Sequence, residues 1–413
     1  MKKKIFIVGG GLSGCVLAYM LSKKNYNITI FEKNKTLINS YDPVQIGRYK
    51  INNGFHGIEL PRSKKIFNFF KSKLKIKFKI LSIKRFLLIQ RKLIDYKLKY
   101  EYWPKNILLE LNNKQNYYKN QKVQCYFKKN ITNLIKLNSQ KFFGKINESK
   151  NQFLPWFLPS DFKHISKDEG DQFRYKLRNN KINGGFAIPR KNLFNIIKKK
   201  FYTYLKSKNV KIIFDSEVIL EKNKIIVFKK NKKIEINYNK IDNVYYTLSA
   251  AFLIKYINFN HFKKMNKCKK NFFNCLIKVN DIDFDYNFSE ILTLNKKIWF
   301  VNKIYSLNYL KFNLKKSKYI VAEIILEQEK LDQKKIKIIL NEIKKIFNLK
   351  KNPKMIDWKM SRVMFFLTRQ WIQKSKKMLS IAYSNKKIFY SSNFYPVNMN
   401  KVWLQSEKLL KSK

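Results

Sequence analysis

Gly9, Gly11, Gly14 and Glu32 are the residues whose types and spacing point to a definite chemistry. Glycine at the first of these positions allows a tight strand-to-helix turn, and at the second it lets a pyrophosphate lie against bare backbone. The third lets the helix sit close on the strand. The helix start that carries Leu12 and Ser13 presents unpaired N–H groups and the positive end of a dipole to phosphate oxygens. Glu32 can accept hydrogen bonds from both ribose hydroxyls of an adenosine and would repel a 2′-phosphate, and Lys33 stands beside it. The pattern therefore selects FAD or NAD over NADP, with Gly9, Gly11, Leu12, Ser13, Gly14, Glu32 and Lys33 as the expected binding residues.

The elements around these residues are the ones such a site needs. Lys4 to Val8 read as a short buried strand, and Cys15 to Ser22 as a helix with Val16, Leu17, Met20 and Leu21 inward. Asn27 to Phe31 form a second strand that ends at Glu32. A secretory signal is the competing interpretation, since Lys2 to Lys4 precede an uncharged run. The glycines in that run, the lack of a small-x-small cleavage site and the strand resuming at Asn27 argue against it.

The chain has 413 residues, enough for two domains with full cores, and its 45% hydrophobic content fits a globular protein. No other uncharged run approaches the length of a membrane span. The net charge of +62 would ordinarily point to a polyanion partner. Here lysine dominates, alongside many Asn, Ile, Phe and Tyr residues, which is the signature of A- and T-rich codons. The lysines are spread along the whole chain and no nucleic-acid motif appears, so no specific nucleic-acid partner is expected. Cys15, Cys125, Cys268 and Cys275 contain no C-x-x-C pair, and they read as reduced thiols of a cytoplasmic protein. His56, His164 and His261 are too scattered for a metal cluster.

Beyond Glu32, Tyr49 and Ile51 alternate as a strand before Gly54-Phe55-His56-Gly57, a turn whose glycines could let a flat ring approach or could be an ordinary turn. A helix is expected at Ser63 to Phe70, strand alternation over 75–111 and helical pieces over 105–150. Asp168, Glu169 and Asp171, with Arg174 and Arg178 nearby, could line a pocket or pair with one another on a surface, and surface pairing is the better fit. Leu193 to Leu205 carry one apolar helix face. Strands follow at Val210 to Phe214, in IIVFKK and KKIEINYN, and at Ile241 to Thr247. Further strands are expected in FFNCLIKV, KIWFVNKIY and KYIVAEIILE. A helix from Gln333 presents Ile336, Ile339, Leu340, Ile343, Ile346 and Phe347 to the core. KIFYSS is a strand, and Val402 to Leu410 a terminal helix.

In this order the pieces resemble the flavin-containing amine oxidase and protoporphyrinogen oxidase superfamily, which shares its FAD fold with UDP-galactopyranose mutase. IFIVGGGLSGCVLAYMLSKKNYNITIFEKN is similar to the family's N-terminal FAD motif. GRYKINNGFHGIEL is similar to its segment passing the flavin ring, with Gly54 and His56 at matching places. GGFAIPRKNLFNIIKKKF resembles the helix before the second FAD strand pair, and NVKIIFDSEV places Val218 where the family's backbone holds adenine. VYYTLSA matches its strand ending in Thr-x-Pro through Thr247, with Ser249 in place of proline. The chain departs from the family at Ile38-Asn39-Ser40, where Gly-Gly-Arg is usual, and at Ser392-Asn393, where Gly-Asp is usual. Asn393 could still bond a phosphate or ribityl hydroxyl, and Ser406 matches the family's Ser-Gly where Glu407 does not.

The resemblance implies an α/β fold: a Rossmann-like FAD-binding domain from 1–60, 184–260 and 379–413, with a discontinuous α+β substrate domain from 61–183 and 261–378. It implies an FAD-dependent oxidoreductase that oxidises or desaturates a small organic substrate by hydride transfer to the flavin. His56 would tune the ring or the substrate as the candidate catalytic residue. Two other readings stand beside it. One is a sugar-nucleotide mutase, which needs arginines such as Arg174, Arg178, Arg362 and Arg369 to converge on a diphosphate. The other is a non-catalytic flavoprotein fold, suggested by the missing Gly-Asp.

Overall fold

The computed structural model describes residues 2–52, 57–60, 63–81, 85–89, 92–95, 185–190, 194–221, 224–230, 232–267, 269–279, 290–294, 300–307, 318–365, 369–382, 387–390 and 399–411. At its centre is a parallel sheet of five strands in the order Lys211–Ile213, Asn27–Phe31, Lys4–Val8, Asn243–Tyr246 and Ile388–Tyr390. Strands buried on both faces read as continuous apolar runs, and KIFIV, NITIF and NVYY do. One face packs the first helix, Leu12–Leu21, against Asn195–Ser207 and the terminal helix Met399–Lys411. On the other face, Phe6, Val8 and Tyr246 share a cluster with Leu253 and Ile254 of Ala250–Ile257, Met265 of Phe259–Asn266, and Ile372 and Leu379 of Arg369–Ala382.

Among the described residues the elements follow the expected ones, while the helical pieces expected over 105–150 and the strand alternation expected beyond residue 95 lie outside them. The first helix begins at Leu12, earlier than the apolar stripe alone indicates, because the glycine turn leads straight into it. An antiparallel three-stranded sheet, Ser216–Leu220, Lys224–Lys229 and Lys232–Asn237, leaves the central sheet beside Glu32. Gly185–Pro189 pairs with both Ile58–Leu60 and Phe78–Leu81. The Lys64–Ser72 helix buries Ile66, Phe69 and Phe70 in the same core as the first helix.

A second, larger sheet orders seven strands as Lys354–Phe365, Lys269–Lys278, Tyr319–Leu326, Val301–Ser306, Glu290–Leu294, Arg85–Ile89 and Lys92–Asp95. Strands from two distant stretches of chain meet in it where Glu290–Leu294 runs parallel to Arg85–Ile89. One face is covered by the Gln333–Phe347 helix, whose Ile339, Ile343, Ile346 and Phe347 are buried as its periodicity requires. The opposite face turns toward the central-sheet domain. There Phe272 and Ile325 join its core, and Leu276, Val321 and Tyr305 pack with Ile46, Tyr49 and Ile51 of the Val44–Ile46/Tyr49–Ile51 hairpin. No helix among the described residues is long and apolar enough to cross a membrane. Cys15 and Cys275 are buried free thiols; Cys125 and Cys268 lie outside the described residues.

Candidate dinucleotide site

The glycine turn joins the first strand to the first helix at the carboxyl end of the parallel sheet, where open α/β sheets bind their ligands. Gly9 has φ +104°, in the region that side chains disfavour, and its N–H donates to the Phe31 carbonyl at 2.9 Å. A Cβ at Gly14 would stand 1.9 Å from the Gly9 carbonyl oxygen, so only glycine permits this close approach of helix to turn. A Cβ at Gly11 would meet nothing within 4 Å. Gly11 is also the N-cap of the first helix, and no side chain caps that helix. The backbone of Leu12 and Ser13 therefore starts a helix whose positive end faces open space.

Glu32 is buried at the end of the second strand. Its Oε2 accepts the Gly10 N–H at 2.6 Å, and its Oε1 accepts the backbone and side-chain N–H groups of Asn34 at 2.8 and 2.6 Å. A carboxylate has about four lone-pair sites, so three protein donors orient it and leave capacity for a hydroxyl. Its own backbone is stitched to the neighbouring chain, with N–H to the Ile213 carbonyl and carbonyl to the Ser216 N–H, both at 2.9 Å. Asn34 is a residue that pattern reading missed; an Asn two residues after a carboxylate is a weak local signal for such a bond.

Thr247, at the end of the Asn243–Tyr246 strand, locks the turn from the other side. Its Oγ1 lies 2.9 Å from the Val8 carbonyl and 3.0 Å from that of Gly9, and its N–H donates to Val8 at 3.0 Å. Leu37 packs against Gly10, and the Ile38 N–H donates to the Gly10 carbonyl at 2.9 Å. Ile38 adopts φ +49°, an uncommon left-handed conformation for a β-branched residue, at the place where the resemblance expects glycine. Cys15 lies beneath the turn with Sγ 3.4 Å from the Gly10 carbonyl, and burial pushes its thiol far up, so it stays protonated.

Val218 is buried in one cluster with Val8 and Phe31, on the strand that follows the Ser216–Glu32 bond. Lys33 extends to Glu217, at 3.0 Å, rather than over the glycine turn. Burial pushes the Glu217 carboxyl up, and hydrogen bonds from Lys33 and Tyr256 outweigh that and leave it below its ordinary value. Gly54, His56 and Asn393 lie outside the described residues, as do His164, Asp168, Glu169, Asp171, Arg174 and Arg178. Arg362 lies on the Lys354–Phe365 strand and Arg369 begins the Arg369–Ala382 helix. Among the described residues no three His, Cys, Asp or Glu side chains group as metal ligands.

Comparison with known proteins agrees with this geometry. Residues 7–72 match the model of the NAD(P)-binding Rossmann-like domain. No curated protein matches the chain by sequence. Among solved structures, a candidate protoporphyrinogen oxidase from Exiguobacterium sp. 255-15 superposes with a TM-score of 0.66 at 12% identity, covering 100% of this chain and 98% of that one. Reduced UDP-galactopyranose mutase gives 0.65 at 12% identity, covering 99% of this chain and 93% of that one. Putrescine oxidase bound to putrescine gives 0.55 at 10% identity, covering 100% and 99%. Residues 7–72 thus match the NAD(P)-binding Rossmann-like domain, and the whole chain shares the fold of these solved structures.

Proposed function

We propose that this protein is an FAD-dependent oxidoreductase acting on a small organic substrate. The observation that carries the reading is the space in front of Gly11, bounded by an uncapped helix start and flanked by the buried, pre-oriented Glu32 carboxylate. That arrangement fits the pyrophosphate and adenosine ribose of a dinucleotide. Backbone N–H groups of Leu12 and Ser13 would bind phosphate oxygens, Glu32 would hold the ribose, and the strand through Val218 would flank the adenine. Bound FAD would supply a two-electron acceptor for oxidation or desaturation of the substrate. The chain's own part is then to hold the coenzyme along the sheet edge and to close the substrate face of the seven-stranded sheet over it. Two of the solved structures that share this fold are named as oxidases, and a mutase shares it as well, so turnover decides the reaction class.

The test is reconstitution. Purified protein incubated with FAD and desalted is expected to retain flavin absorbance, which a reducing substrate would bleach and a dye acceptor would restore during turnover. Loss of all flavin on desalting would overturn the reading. Flavin retained without acceptor-dependent turnover would shift it to the mutase-type alternative.

A further inference from the structure

The two oxygens of the Glu32 carboxylate are not equivalent. Oε1 is occupied twice from within its own turn, by the backbone N–H of Asn34 at 2.8 Å and by Asn34 Nδ2 at 2.6 Å. Oε2 takes one donor, the Gly10 N–H at 2.6 Å. Each carboxylate oxygen offers about two lone-pair sites, so Oε1 is full and Oε2 has one site left. The two oxygens also face different ground. Oε1 turns toward Asn34, whereas Oε2 lies against the residue before Gly11, where a Cβ would meet nothing within 4 Å and the helix start has no side-chain cap. The vacant site is therefore beside that open space, and Glu32, at 6% exposed, is not wholly closed over.

The acid has little freedom to turn. Its backbone is tied on both sides, to Ile213 and Ser216, and a Cβ at Gly10 would stand 3.0 Å from Oε2. Of the three donors that orient the carboxylate, only Asn34 Nδ2 belongs to a side chain. Gripping both hydroxyls of a ribose with one carboxylate takes a vacancy on each oxygen. We propose that Asn34 is a positioning residue that removes one of these vacancies. By filling Oε1 it makes Glu32 hold the adenosine ribose through a single hydroxyl, on Oε2, and leaves the other hydroxyl unread by the acid. The site then discriminates sharply at one ribose position and tolerates change at the other, which departs from the expectation that Glu32 serves both. The proposal rests on the FAD reading for what the open space holds.

Equilibrium dialysis of the flavin-free full chain tests it, with FAD and with FAD built on 2′-deoxyadenosine or 3′-deoxyadenosine. One deoxy form is expected to bind about tenfold more weakly than FAD, the scale of one hydrogen bond to a charged acceptor, and the other within about twofold. Equal losses for both forms, or no loss for either, overturn the proposal. Asn34→Ala opens a site on Oε1, so in that variant the tolerated deoxy form is expected to bind about three- to tenfold more weakly than FAD. An Asn34 that serves only to hold the turn predicts a lower melting temperature with the wild-type pattern of deoxy penalties, and that result overturns the positioning role. The wild-type comparison needs no variant, so it decides the matter even if Asn34→Ala does not fold. Failure of the FAD reading shows separately, as unmodified FAD that is not bound, and takes the proposal with it. Failure of the proposal alone shows as bound FAD with symmetric penalties.

Discussion

Gly10 donates its backbone N–H to Glu32 Oε2 at 2.6 Å, so the acid at the end of the second strand is tied directly to the turn at the end of the first. The bond fixes the carboxylate where an adenosine ribose would lie and also satisfies a buried N–H. Function and stability therefore share one contact. Glu32→Ala is expected to lower FAD affinity by roughly 10- to 100-fold, the scale of losing hydrogen bonds to a charged group. It should also reduce the melting temperature by leaving the Gly10 N–H buried and unpaired. Equilibrium dialysis against FAD, with thermal unfolding of the same sample, checks both effects.

Gly11 and Gly14 are expected to behave oppositely although both belong to the same motif. Gly11→Val should fold normally, because its side chain enters open space, and should lose FAD, because the proposed pyrophosphate would occupy that space. Gly14→Ala should destabilise the protein by about 1–3 kcal/mol through overpacking against the Gly9 carbonyl. Urea midpoints and flavin content separate the two; unchanged flavin in Gly11→Val would reject the placement of the pyrophosphate.

Thr247→Val removes a hydroxyl within hydrogen-bonding distance of the Val8 and Gly9 carbonyls while keeping shape. A loss of about 1 kcal/mol is expected. Weaker FAD retention should accompany it, since only the backbone N–H of residue 247 then braces the turn from that side. Denaturant unfolding with and without FAD measures both parts.

His261 gives the protein a pH dependence. Its Nε2 lies 2.9 Å from Ser375 Oγ and its ring 4.8 Å from Trp371. Burial, and then Lys374 and Lys264, hold its pKa below the ordinary histidine value. The neutral ring is therefore the folded form. The stability it contributes is present above about pH 6.5 and is lost as pH falls through the depressed folded-state value. Melting temperatures at pH 7.5 and 5.5 should diverge, and His261→Gln should flatten that difference.

Local pattern was enough for the central strands and for the first turn. Lys4–Val8 and Asn27–Phe31 lie where apolar runs end in glycine or acid, and Gly9, Gly11, Gly14 and Glu32 are spaced by the geometry of one βαβ unit. Such features are legible because their causes lie within about thirty residues of chain. Asn34 escaped notice because its bond to Glu32 depends on a rotamer, not on a residue type.

Amino-acid order alone determined the dinucleotide turn, its acid and the periodicity of the Gln333–Phe347 helix, since backbone sterics and side-chain spacing act locally. Only the tertiary structure decided that Thr247, more than two hundred residues from Gly9, would brace the same turn. It alone set Asn274 beside Glu323 and Glu323 beside Asn302, because strand register across a sheet is chosen by which distant apolar faces can be buried together.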